Sequence, residues 1–166
     1  MYLLPDREKD AQEFLSKEPA ASRALRNNFD PYKQIIARLR ALELNGHPID
    51  KIEIIIIGGT WSYYPHKYQE EFISEIFRAC NNYKKKRGIK KNTKPLNGLQ
   101  KINESAKCRI IGLSVETRPD YINLAEIERM RKFGVTKVEI GVQNLDEDVL
   151  SANARGAGIG EVSKAT

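Results

Sequence analysis

The sequence predicts an α/β fold: a partial (β/α) barrel of parallel strands in β-α-β-α-β-α order, incomplete at both ends. Two observations carry this. Short β-branched runs alternate with amphipathic helical stretches, the pattern that parallel strands with helical crossovers leave in a chain. The second and third of those runs are also apolar at every other residue, with small or polar residues between. A doubly wound sheet would be apolar on both faces, whereas a barrel around a polar ligand has this one-sided pattern.

The elements follow in order. PYKQIIARLRALELNG (31–46) sets Ile35, Leu39 and Leu42 at helical spacing, with Pro31 at its start and Gly46 as its stop. KIEIIIIG (51–58) is a β-branched strand ended by glycine; its lack of alternation predicts burial on both faces. PHKYQEEFISEIFRACNNY (65–83) is a helix with Tyr68, Phe72, Ile76 and Cys80 on one stripe. CRIIGLSVE (108–116) is the second strand, with Ile111, Leu113 and Val115 on one face and Gly112, Ser114 and Glu116 on the other. DYINLAEIERMRKFG (120–134) is a helix that Asp120 can cap and Gly134 ends, with Leu124, Ile127 and Met130 toward the core. TKVEIGVQ (136–143) is the third strand, apolar at Val138, Ile140 and Val142 and polar or small at Glu139, Gly141 and Gln143. LDEDVLSAN (145–153) begins another helix.

The chain has 166 residues, enough for one domain with a core, here taken as 1–166. Its net charge is +6, but the excess is local. Residues 84–101 hold eight Lys and Arg and no acid; without them 20 basic residues face 22 acidic ones. With Gly88, Pro95 and Gly98, the stretch 84–106 is predicted to be an exposed basic loop. It is either a solvated insertion or a phosphate-contacting surface in which Lys84, Lys85, Lys86, Arg87, Lys90 and Lys91 touch RNA. Charge follows Met1 almost at once, unlike a signal peptide, and no apolar run approaches the ~20 residues of a membrane span. Cys80 and Cys108 lie far apart without paired spacing, so a reducing cytoplasm is expected.

The predicted strands end together on informative residues. The first ends on Gly58-Gly59, which leaves backbone amides and carbonyls open to a ligand or simply makes a tight turn. The others end on Glu116 and Gln143, at the carboxyl edge where barrel enzymes place their chemistry. Glu116 could instead form an ion pair with Arg118. No third glycine follows at the spacing of a dinucleotide fingerprint.

Several stretches carry a resemblance: RALRNNFDPYKQ, GGTWSYYPHKYQEEF, NESAKCRIIGLSVETRPDYI, GVTKVEIGVQNLDEDVL and ARG, in that order from about Pro19 to Gly156. They resemble the radical S-adenosylmethionine (SAM) domain of the Elongator catalytic subunit, the tRNA uridine-34 acetyltransferase family. ETRPD followed by EIGVQ is the specific part; GGT and GVQ occur widely among radical SAM enzymes. The resemblance implies a partial barrel of radical SAM type that holds SAM on a 4Fe–4S cluster. Cleavage of SAM there gives a 5′-deoxyadenosyl radical. With acetyl-CoA as co-substrate, the family modifies C5 of the wobble uridine of tRNA. Carried over by position, the resemblance assigns Gly58, Gly59 and Thr60 to the methionine ammonium, and Glu116 to the ammonium or ribose. It likewise assigns Gln143 to the ribose hydroxyls and Arg155 to a carboxylate.

The chain departs from the family pattern at three points. The three-cysteine cluster loop has no counterpart, so the expected set of metal ligands is empty. The histidine expected after Arg155-Gly156 is Ala157, and no C-terminal acetyltransferase domain follows. The expectation is therefore an internal fragment of such an enzyme, inactive by itself. A non-catalytic remnant or RNA-binding module is the alternative. A piece of another radical SAM enzyme, such as a coproporphyrinogen dehydrogenase-like protein, fits ETRPD less well.

Overall fold

The computed structural model describes residues 19–86, 88–146, 148 and 159–165. Three parallel strands form one open sheet in the order β1-β2-β3: β1 (Lys51–Ile56), β2 (Arg109–Thr117) and β3 (Lys137–Ile140). Helices α1 (Pro19–Arg26) and α2 (Pro31–Leu44) precede β1. Helices α3 (His66–Asn82) and α4 (Leu96–Asn103) lie between β1 and β2, α5 (Leu124–Phe133) between β2 and β3, and α6 (Ile159–Ala165) comes last. The predicted 31–46 helix is α2; the Asp30 side chain caps it by accepting from the Lys33 N–H at 3.0 Å. The helix expected at 145–153 falls largely outside the described residues.

One face of the sheet is packed. Ile54 and Ile56 of β1 and Leu113 and Val115 of β2 are buried against Phe72, Ile73, Ile76 and Phe77 of α3 and Met130 and Phe133 of α5. Trp61, fully buried just beyond β1, meets Phe72 and Phe133 edge-on at centroid separations of 6.1 and 6.2 Å. The other face carries Glu53, Ile55, Ser114 and Glu139, and Ile55 is 50% exposed. The expectation that β1 is buried on both faces is therefore corrected: β1 is an edge strand, and helices cover only one side of it among the described residues.

Three further corrections have local causes. Ile111 leaves the packed set and is 55% exposed, because the register slips there: Ile52 pairs with Ile110 but Glu53 with Gly112. Helix α5 starts later than predicted, and its cap is Asn123, whose side chain accepts from the Glu126 N–H at 3.0 Å. Leu124 and Ile127 then point outward while Glu126, Met130 and Phe133 point inward. The stretch 84–106 is not all loop. Pro95 leads into α4, whose Leu96 and Leu99 are buried at i, i+3 spacing against α3, a short apolar stripe hidden in a polar composition.

A buried amide network fixes this end of the sheet. Asn81 donates to Leu99 O at 2.8 Å, Asn103 donates to Asn81 Oδ1 at 2.9 Å, and the Ile110 N–H donates to Asn103 Oδ1 at 2.8 Å. The sequence-distant thiols also meet in the core, where the Cys80 thiol is pushed well above its ordinary range by its hydrogen bond with Cys108 and by burial.

The slipped register predicts unequal costs along β2. Leu113→Ala should destabilise by about 2–5 kcal/mol in chemical denaturation, and Ile111→Ala by less than about 1 kcal/mol. Equal losses would contradict the bulge.

Candidate functional site

Parallel pairing brings all three strand ends to one edge. Ile56 pairs with Val115, so in the same register Ile57 comes beside Glu116 and the diglycine starts beside Thr117. Glu116 pairs with Glu139 and Thr117 with Ile140, so the segment after β3 emerges on the other side of the same two residues. The Gly141 N–H donates to Thr117 O at 2.9 Å and carries the pairing one step further.

The backbone requires the diglycine. Gly58 and Gly59 have φ of +101° and +85°, a region that residues with a Cβ rarely adopt. Thr60 then leads into a 3-10 turn (Trp61–Tyr63), its carbonyl accepting from the Tyr63 N–H at 3.1 Å. The Tyr64 hydroxyl lies 3.5 Å from where a Cβ of Gly59 would sit. The tight-turn reading is thus sufficient for these residues, and it still leaves bare backbone at the strand tip.

Glu116 and Gln143 converge over Gly141. A Cβ there would meet Gln143 Nε2 at 3.2 Å and Glu116 Oε1 at 3.8 Å. Gly141 is therefore the space that both polar ends share. Among the described residues no hydrogen bond or ion pair engages either side chain. The expected alternative pairing of Glu116 with Arg118 does not occur: Arg118 makes a two-pronged bond to Asp120, both contacts at 2.9 Å. The neighbouring Glu139 is occupied, held below the usual carboxylate range by Lys137 first and Ser114 second. Arg155 lies outside the described residues.

Gln143 is held in a strained backbone. Its φ is +69°, and the Asn144 N–H donates to Val142 O at 2.9 Å, closing a γ-turn around it. A side chain in this region costs on the order of 1 kcal/mol, which the surrounding structure must offset.

Sequence reasoning missed a polar chain beneath this edge. Thr117 Oγ1 donates to Ser62 Oγ at 2.8 Å, Ser62 Oγ donates to Glu126 Oε1 at 2.8 Å, and Arg129 pairs with the other Glu126 oxygen. Glu126 is 3% exposed. Ser62 and Glu126 are 64 residues apart, and no spacing rule links them. The one available signal was a glutamate on the helix stripe that also holds Met130 and Phe133.

The expected RNA-contacting residues lie elsewhere. Helix α3 leaves the carboxyl edge and runs back along the sheet; its 17 residues span about 25 Å at 1.5 Å per residue. The loop that follows is rooted at the amino end of the strands, where Asn82 donates to Ile89 O at 3.0 Å. Lys84 is taken by Glu43, which also accepts from Tyr83 and is held below the usual carboxylate range. Lys85, Lys86, Lys90 and Lys91 are exposed, and Arg87 is outside the described residues. A concavity of about 680 Å³ lies between α4 and α5, and neither Glu116 nor Gln143 lines it. Three strands do not enclose their carboxyl edge.

Parallel strands backed by helices on one face, with a diglycine turn, a carboxylate and an amide gathered at one edge, define an open segment of a (β/α) barrel of radical SAM type. The comparisons specify it further. Over 155 residues, 93% of its length, the chain is 44% identical to a tRNA uridine(34) acetyltransferase of Methanocaldococcus infernus. Over 151 residues it is 34% identical to Elongator complex protein 3 of Saccharomyces cerevisiae. The solved structure of the archaeal Methanocaldococcus infernus Elp3 with an N-terminal deletion superimposes on 86% of the chain with a TM-score of 0.78 and 44% identity. The resemblance to the Elongator catalytic subunit read from the sequence thus holds across nearly all of the chain. The chain spans 28% and 26% of the length of those two relatives and 32% of the solved one. No protein-family model matches it, and no described helix is long and apolar enough to cross a membrane.

Because glycine releases the strain at position 143, Gln143→Gly should leave stability unchanged or raise it by up to about 1 kcal/mol in chemical denaturation. A loss of stability would show that the Gln143 side chain serves the fold.

Proposed function

We propose that the chain forms the SAM-binding edge of a cytoplasmic, Elongator-type tRNA uridine(34) acetyltransferase. The observation that carries this is the pair of polar side chains, Glu116 and Gln143, unengaged among the described residues and sharing the space over Gly141 beside an open diglycine turn. The donor set suits the ligand. The Glu116 carboxylate accepts from an ammonium or a hydroxyl, and the Gln143 amide both donates and accepts, as ribose hydroxyls require. The bare backbone at Gly58–Thr60 supplies further acceptors for the methionine ammonium. Arg155 is proposed for a carboxylate of the same ligand by sequence position alone.

When bound to a 4Fe–4S cluster, SAM supplies radical chemistry, and in the complete enzyme acetyl-CoA supplies the acyl group. This chain's residues do not fit the cluster. Its two cysteines are both buried in the core, and the described residues contain no group of three or more metal-ligating side chains. The role of the chain is therefore to bind and orient. In this reading tRNA is the partner, with Lys85, Lys86, Lys90 and Lys91 touching phosphates some 25 Å from the SAM edge, about the length of α3.

Calorimetric titration of the chain with SAM tests the proposal. Glu116→Gln and Gln143→Ala should each weaken binding by about tenfold or more, corresponding to about 1.4 kcal/mol, while Lys85→Glu with Lys86→Glu leaves it unchanged. Binding that is indifferent to Glu116 and Gln143 would refute the assignment. Anaerobic reconstitution with iron and sulfide should give no four-iron absorbance; a stable chromophore would show ligands outside the two buried cysteines. The non-catalytic RNA-binding alternative rests on the four exposed lysines. It predicts tRNA binding that falls steeply with salt and is lost when they are reversed, without any SAM affinity.

A further inference from the structure

We infer that Thr117, acting through Ser62 and Glu126, is the positioning residue that sets the distance between the three strand tips and so shapes the proposed SAM site. The inference rests on that reading for its ligand and on hydrogen-bond geometry for its mechanism. Thr117 is the last residue of the central strand and follows Glu116 directly. Its two polar groups reach in opposite directions across the sheet. The side-chain hydroxyl donates to Ser62 Oγ at 2.8 Å, on the turn that begins with the diglycine. The backbone carbonyl accepts from the Gly141 N–H at 2.9 Å, beneath the Glu116 and Gln143 side chains. One residue, 1% exposed, is therefore bonded to both flanking tips.

The direction of the side-chain arm is fixed chemically. The Glu126 carboxylate beside Arg129 can only accept, so Ser62 must give its proton to Glu126. The Ser62 oxygen is then left to accept, and the Thr117 hydroxyl supplies the proton. Each hydroxyl has one arrangement, not several, and the turn is tied to β2 in one place. Glu126 is itself anchored, since its N–H is held by the Asn123 cap at the start of α5. The chain thus spans the turn after β1, the end of β2 and the first turn of α5. Core packing holds one side of these tips, at Val115 and Trp61, and the hydrogen-bonded chain ties the tips to one another across it.

The experiment uses the full chain with Thr117→Val, Thr117→Ser and Ser62→Ala, read by amide hydrogen exchange and by titration with SAM. Thr117→Val keeps the shape and removes the donor. It should speed exchange about tenfold or more at the amides of residues 58–64 and at Gly141, with protection in the packed strands at Ile54, Ile56 and Leu113 unchanged. Ser62→Ala should reproduce the effect, and Thr117→Ser should reverse it. Unchanged exchange at the tips, or a loss spread evenly through the sheet, would overturn the positioning role whether or not SAM binds. In the titration, Thr117→Val should weaken SAM binding by about tenfold, with Thr117→Ser restoring it. Full affinity in Thr117→Val would also overturn the inference. A wild-type chain that exchanges as expected but binds no SAM would instead refute the proposed function and leave the tip geometry standing.

Discussion

The parallel pairing of β1 with β2 and of β2 with β3 is the constraint on which the rest depends. Parallel strands cannot be joined by hairpins, so each connection crosses back over the sheet as a helix, and every strand delivers its carboxyl end to the same edge. That geometry alone places Gly58-Gly59, Glu116 and the Gly141–Gln143 segment beside one another, although 85 residues separate the first from the last. It also divides labour between the two ends of the molecule. The amino end is tied by the buried Asn81–Asn103 amides and by α4, which serve stability. At the carboxyl end Thr117, Ser62 and Glu126 are bonded to one another, whereas Glu116 and Gln143 have no partner among the described residues.

The carboxyl edge gathers positive-φ backbone, which elsewhere among the described non-glycine residues occurs at Asn28, Phe29, Lys84 and Asn92. Gly58 and Gly59 take positive φ without penalty because they lack a Cβ, whereas Gln143 takes it with a full side chain. Strain of this kind persists only where neighbours over-determine the conformation, and here two hydrogen bonds to the backbone around it do so. Gly141 completes the arrangement by absence: a Cβ there would press on the Gln143 amide and touch the Glu116 carboxylate. The result is a small polar cradle of bare backbone, one carboxylate and one amide, lying over an apolar core that ends on Val115 and Trp61.

The basic segment belongs to the other end. Its lysines cluster because helix α3 must return to the amino side of the sheet before β2 can start, and the long connection there is where the chain tolerates charge. Lys84 serves structure through Glu43, and Ile89 is clamped by Asn82, so the loop is rooted although its remaining lysines are solvated. A partner that touched both this loop and the strand tips would have to reach along the whole length of α3.

Legibility followed the range of the interaction. Element order, the Pro31 and Gly134 helix boundaries and the polar face of β2 and β3 rest on local periodicity and propensity, and the residues state them directly. Alternation placed Glu116 near the end of β2, but it carried the third strand too far, since β3 ends at Ile140 and Gln143 lies beyond it in a γ-turn. It also misjudged Ile111, since a one-residue bulge reverses the face without changing composition. Leu124 and Ile127 were misplaced because the inward stripe of α5 holds Glu126, bonded to Ser62, with Met130 and Phe133, and a buried glutamate is not expected from composition. By itself, then, the sequence determined the order of strands and helices, the resemblance to the Elongator catalytic subunit and the residues at the strand tips. Only the tertiary structure decided which polar groups are occupied and which are free, because hydrogen bonds such as those of Ser62 with Thr117 and Glu126 join residues whose separation along the chain carries no signal.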